Sequence, residues 1–439
     1  MTGGRSPSRW AVVGGGMLGL TLALRLRQQG KEVTLYEAAP ALGGLAGAWQ
    51  LGDVVWDRHY HVTLLSDAAL RRLLDELGLG AELEWTETRT GVFAQGRLHS
   101  VSNTLELLRF PVLRFGDVLR LGATIVGASR IRDWRRLEQV PVEDWLRRWS
   151  GARTFERFWL PLLRSKLGES HRRTSAAFIW ATIQRLYAAR RSGMKKEMFG
   201  TVAGGYARVL DRFAQRLAHD GVAVRLGCPV ARVGRGEGGV VVAPRLGPAQ
   251  AFDHVVVTTP SPAAARLCAG LGPAEAAALT DAEHLGIVCA SALLRRPLDG
   301  FYVTNLLDDG FPFTGIIEMS AMARPQHFGG RGLVYLPRYA APDDPVFELD
   351  DEALRARFLP ALQRVYPQVG DADVLAFRVS RVRHVVPLPT IGYSQRLPPT
   401  DTSVPGLHIV NAAQIVNGTL NVNETVQLAE RAAAAYAAL

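Results

Sequence analysis

Three glycines and a carboxylate stand at spacings that suit the capture of a dinucleotide. Gly14, Gly16 and Gly19 lie in the run Gly14-Gly15-Gly16-Met17-Leu18-Gly19, and Glu37 follows the last of them by 18 residues. Gly14 permits a tight turn, Gly16 lets backbone approach a pyrophosphate, and Gly19 lets a helix pack close to a strand. Met17 and Leu18 would open that helix, whose unpaired N–H groups and dipole favour an anion. Glu37 sits close to the roughly 20 residues expected of a carboxylate that binds ribose hydroxyls, and it would repel the 2′-phosphate of NADP. These duties need a strand over Trp10–Val13, a helix to Gln29 and a second strand over Val33–Tyr36, and the apolar pattern supplies all three.

A second glycine pair follows in Ala38-Ala39-Pro40-Ala41-Leu42-Gly43-Gly44-Leu45-Ala46. Here the chain resembles the FAD-binding flavoproteins that include protoporphyrinogen oxidase, phytoene desaturase, the amine oxidases and UDP-galactopyranose mutase. The resemblance implies FAD rather than NAD, held at Glu37, Ala38, Gly43, Gly44 and Leu45. It extends over Gly200–Val233, where Val230 is the position whose backbone would meet the adenine. It continues through Asp253–Pro260, which carries Thr259, and through Gly406–Asn411 with a helix beginning near Val422. That last stretch implies ribityl and pyrimidine contacts at Asn411, Asn421 and Val422. The segment Asp57-Arg58-His59-Tyr60-His61 is similar to a family loop that passes near the flavin, placing Arg58, His59 and Tyr60 among the cofactor contacts. Two departures stand out. Leu45 occupies a position where many relatives have arginine, and Asn411-Ala412 replaces a Gly-Asp pair.

Composition bounds the alternatives. The 439 residues suffice for two to three domains with a substantial core. Residues 1–8 read as a polar tail, with no leader peptide and no run of 18 apolar residues for a bilayer span. Cys228, Cys268 and Cys289 are too scattered for a disulfide framework or a zinc site, so no metal is expected and a reducing cytoplasm is the natural compartment.

Charge is concentrated. Residues 101–200 carry 20 Lys or Arg against 9 Asp or Glu, an excess larger than the whole chain's net +10. Trp134, Trp145, Trp149, Trp159 and Trp180 fall in the same window, and Ile179, Ile183, Leu186 and Tyr187 share a helical face. Such a surface suits an anionic lipid face or an anionic substrate; a solvated basic face over an apolar core explains it equally well. Nucleic acid is not expected, since no recognition module accompanies the charge.

The expected class is α/β: a Rossmann-like FAD-binding domain from residues 1–62, 200–262 and 395–439, with a second, α+β substrate domain. The latter combines a mostly helical insertion, 63–199, with 263–394, where Gly286–Arg296, Phe301–Leu307, Thr314–Met319, Leu333–Tyr339 and Val374–Val386 read as a largely antiparallel sheet. His61 is a candidate proton carrier, against the alternative of a histidine that only bonds backbone. Tyr335 and Glu318 are further catalytic candidates, and Asn305, Arg338 and His384 are candidate substrate contacts. No lysine follows Lys196, which disfavours the amine-oxidase arrangement that uses a lysine from the substrate sheet. No second dinucleotide fingerprint occurs, so electrons would pass to oxygen, a quinone or a redox partner. The reading is an FAD-dependent oxidoreductase acting on a C–H bond of a largely apolar, anionic small molecule. It would work in the cytoplasm or on the inner face of the membrane. Two alternatives stand beside it, a flavin-dependent sugar-nucleotide mutase and a lipid-binding flavoprotein.

Overall fold

The computed structural model describes residues 7–191, 198–416 and 420–439, with side chains for all of these except 186–191. The tail expected at 1–8 therefore lies mostly outside the described residues, as do Lys196 and the side chains of Leu186 and Tyr187.

Trp10–Val13 is apolar at every position, as befits a strand covered on both faces. It belongs to a five-stranded parallel sheet ordered Ala223–Arg225, Glu32–Tyr36, Arg9–Val13, His254–Val257, Leu407–Ile409. Alternation decides what each face touches. Trp10 and Val12 pack beneath helix Met17–Gln28 and the C-terminal helix Val422–Ala435. Ala11 and Val13 pack beneath an antiparallel ribbon of Val230–Gly236, Gly239–Pro244 and Gln250–Phe252. Three pieces of chain distant in sequence thus build one nucleotide-binding layer.

A seven-stranded sheet runs in the order Val374–Pro387, His284–Leu294, Gly332–Ala340, Gly315–Glu318, Val303–Leu306, Thr90–Ala94, Arg97–Ser100. Each strand expected after residue 285 is found, its ends shifted by no more than two residues. The sheet is antiparallel except where Val303–Leu306 runs beside Thr90–Ala94. That pairing departs from the mostly helical reading of 63–199: residues 63–100 also form strands, and a continuous helical layer starts only at Thr104. Val92-Phe93-Ala94 is too short an apolar run for its period to separate strand from helix. One face of the large sheet packs on helix Asp351–Val365, and the other faces the loop after strand Val54–Asp57.

The helical layer includes Phe115–Arg130, Val142–Ser150, Leu160–Leu167 and Ala176–Arg191. Trp145, Trp159 and Trp180 are buried in its core, whereas Trp149 is half exposed. Among the described residues no helix is long and apolar enough to cross a membrane.

Candidate functional site

The glycine run folds as a cradle. Gly14 has φ +118°, and a Cβ there would press on Thr258 Oγ1. A Cβ at Gly19 would collide with the carbonyl oxygen of Gly14. Helix Met17–Gln28 starts at Gly16 with no side-chain cap, so the N–H groups of its first turn are left for an anion. The second glycine pair closes over the first: Gly43 donates its N–H to Gly15 O at 2.8 Å, and Gly44 passes so near Gly16 that a Cβ would come within 3.2 Å of its Cα. Glu37 accepts from Gly15 N at 2.6 Å and from Ala39 N at 2.7 Å, one bond to each carboxylate oxygen. Each oxygen keeps a lone pair for a ribose hydroxyl. Cys228 N donates to Glu37 O at 2.9 Å, which draws the start of strand Val230–Gly236 to the same edge.

Arg58 reaches this cradle by a route the local sequence does not show. Its Nη2 donates to Gly44 O at 3.0 Å. The guanidinium therefore stands beside the glycine pair even though Leu45 occupies the position next to it in the chain. Burial, and then the neighbouring Arg378, hold its pKa below the usual arginine value, while Glu37 opposes them. Its Nε is buried without a hydrogen-bond partner, as are His59 Nε2 and Thr259 Oγ1. His59 donates from Nδ1 to Leu45 O at 3.0 Å, and burial pulls its pKa down to about 4. The ring is thus neutral, and Nε2 is a buried acceptor. Buried polar atoms are rarely left without partners, so these three mark the wall where a polar ligand belongs.

Beyond the cradle, Asp57 gathers residues from three parts of the chain. It is buried at the end of its strand. Its Oδ1 accepts from Tyr206 N at 2.7 Å, and its backbone oxygen accepts from Tyr335 OH at 2.6 Å. Its Oδ2 lies 3.7 Å from His61 Nδ1, close enough for attraction but too long for a hydrogen bond. Burial pushes the Asp57 carboxyl up, and the facing imidazole resists this. The His61 ring packs against Tyr206, centroids 4.9 Å apart. Tyr60 OH meets Tyr339 OH at 2.9 Å. Past Tyr339, between the helical layer and the sheet, lies a cavity of about 780 Å³, a size that suits a small organic molecule.

The family pattern of flavin-containing amine oxidoreductases matches residues 18–436. The chain belongs to this family. It is 29% identical over 382 residues to the coproporphyrinogen III oxidase of Mycobacterium tuberculosis (strain ATCC 25618 / H37Rv), covering 80% of this chain and 81% of that protein. Among solved structures, a putative protoporphyrinogen oxidase from Exiguobacterium sp. 255-15 superposes with a TM-score of 0.78 at 17% identity, covering 99% of this chain and 100% of that one. A reduced UDP-galactopyranose mutase superposes with a TM-score of 0.73 at 15% identity, covering 98% and 96%. This member of the amine oxidoreductase family is therefore an FAD-dependent oxidoreductase. The cradle fits that cofactor: an uncapped helix, an acidic ribose partner, and unpartnered polar atoms at Arg58, His59 and Thr259.

Several candidates take other roles than expected. Residues three apart on a strand point to opposite faces. Arg338 accordingly lies opposite Tyr335, rimming the large cavity and bridging to Asp344 at 3.2 Å. Glu318 pairs with Val334 rather than Tyr335, so it too lies on the far face. Its carboxylate accepts from Leu298 N, Gly300 N and Ser320 Oγ, so it ties down the loop that leads into strand Val303–Leu306. Asn411 spends its side chain internally, accepting from Ala413 N and donating to Thr259 O. It thereby holds Thr259 in place. Asn421 caps the C-terminal helix by accepting from Glu424 N at 3.0 Å, directly before Val422. Asn305 shares the Tyr335 face two strands away. His384 meets His284 edge-on at 5.7 Å; among the described residues no contact joins it to Tyr60 or His61.

The structure also brings in Asp57, Tyr206 and Tyr339, none of them singled out above. Asp57 stands four residues before His61, which was the one local sign available.

Proposed function

We propose that this enzyme oxidises a C–H bond of a largely apolar, anionic small molecule, bound beside Tyr60, His61 and Tyr339. In this reading Gly14, Gly16, Met17, Leu18, Gly19, Glu37, Ala38, Gly43, Gly44, Leu45, Arg58, His59, Tyr60, Val230, Thr259, Asn421 and Val422 form the wall that holds FAD. When bound, FAD supplies the acceptor for the electron pair removed from substrate. The chain's own residues bind, orient and desolvate. His61, backed by the buried Asp57 carboxylate, holds or moves the one proton the step requires. The observation that carries this reading is the convergence of Tyr206, Tyr335 and His61 on Asp57. Anaerobic addition of apolar carboxylic acids is expected to bleach the FAD absorbance. Turnover that needs pre-reduced flavin and leaves no net electron change would instead favour a mutase, a reading that the likeness to the reduced mutase keeps open. Oxygen, a quinone and a redox partner are the acceptors to try in the second half-reaction.

We also infer attachment to an anionic membrane surface. On helix Phe115–Arg130 the outward side is itself apolar: Phe115 and Leu119 are 67% and 57% exposed, beside exposed Leu105 and Leu108. A helix apolar on both sides seeks a second apolar partner, and exposed Arg109, Arg114 and Arg120 flank this patch. Vesicles containing phosphatidylserine are expected to sediment the protein at low salt. Replacing Phe115 and Leu119 together by Asp should cut the bound fraction by at least about tenfold, given the worth of burying two such side chains. Equal sedimentation of wild type and variant would remove the membrane from the account, and with it the lipid-binding alternative.

A further inference from the structure

Lys166 sits inside the molecule with no counter-charge of its own. Helix Leu160–Leu167 aims it at the sheet, where its Nζ lies 5.6 Å from the centre of the Tyr339 ring and 5.7 Å from that of Phe178. Among the described residues it forms no ion pair and no hydrogen bond. The charge that acts on it is a second cation, Arg185, and that guanidinium is already matched by the buried Asp67 at 2.9 Å. Burial and Arg185 together lower the lysine's pKa. An ammonium held partly away from water without an anion is costly to keep, and such groups concentrate where a ligand completes them. The surroundings point the same way. Lys166, Phe178, Tyr60 and Tyr339 are each partly accessible rather than sealed in a core, and Tyr339 also lines the large cavity, so we read the space these four residues share as a cleft. Tyr339 joins this cleft to the Tyr60 hydroxyl and so to the loop beside the FAD cradle.

We propose that Lys166 is the docking point for the substrate's anionic group, a carboxylate on a flat apolar body that lies against Tyr339 and Phe178. The lysine comes from the helical layer, not from the large sheet. It is a positioning residue: it places the molecule while other groups meet the reacting bond. The inference rests on the reading of this cleft as the substrate site, and the two can fail separately.

The test titrates 1-naphthoate and its neutral amide, 1-naphthamide, into the FAD-loaded protein and follows the flavin absorbance. For wild type, naphthoate should bind more tightly than the amide. Lys166→Met should weaken naphthoate by about tenfold or more, the worth of a charged hydrogen bond, and leave the amide unchanged. Lys166→Arg should retain most of the preference. Should the methionine variant lose FAD, Lys166→Gln makes the same comparison with a polar side chain. Equal naphthoate affinity in wild type and the uncharged variant overturns the role of Lys166 but spares the cleft. If neither probe perturbs the wild-type flavin, the cleft is not the substrate site and both readings fall.

Discussion

Gly16→Val should give a folded but colourless protein. A Cβ at Gly16 would approach only Gly44 Cα, at 4.0 Å, and its φ of −76° with ψ of 175° is extended backbone that a β-branched residue accepts. The fold therefore has little objection to valine. The valine methyl groups would instead project into the space before the uncapped helix, where a pyrophosphate needs direct access to the N–H groups. The expected loss of FAD affinity is roughly a thousandfold or more, about 4 kcal/mol. Absorbance spectra of the purified variant, with circular dichroism to verify folding, check this. Stoichiometric flavin in a well-folded Gly16→Val protein would mean that the cofactor lies elsewhere. Gly19→Val is the contrasting case, because there the clash is with the Gly14 carbonyl inside the protein and the fold itself should suffer.

His61→Ala should act on turnover and spare cofactor binding. The imidazole stands on the Tyr206 ring and faces Asp57, and no described contact ties it to the glycine cradle. With a substrate found by anaerobic bleaching, kcat is expected to fall about a hundredfold, the usual worth of a positioned proton carrier, at unchanged FAD content. Added imidazole should restore part of the rate, because the truncation leaves room beside Asp57. A His61→Ala enzyme with full activity would return His61 to a structural role. Asp57→Asn should also slow turnover while keeping the Tyr206 N–H bonded through its amide oxygen.

The cradle was legible because its parts are local. A turn that needs glycine, a helix that needs a bare N-terminus and a carboxylate at the end of the next strand follow one another within residues 9–37, and each leaves its own mark on residue type and spacing. The long strands His284–Leu294, Gly332–Ala340 and Val374–Pro387 were legible for a similar reason, since runs of that length between turn residues admit few other structures. Strands Thr90–Ala94 and Arg97–Ser100 were not: both are short, and the hairpin they form joins the large sheet only through Val303–Leu306, more than 200 residues away.

The chain by itself therefore determined the class of fold, the cofactor and the concentration of positive charge between residues 101 and 200. Only the tertiary structure decided which side chains meet. Asp57 finds Tyr206 and Tyr335 across 149 and 278 residues, and Tyr60 finds Tyr339 across 279. Register decided the rest. Because side chains alternate along a strand, the pairing that turned Tyr335 toward Asp57 also turned Glu318 and Arg338 to the other face. No spacing along the chain encodes that choice, since it depends on which face of the sheet the FAD-binding layer covers.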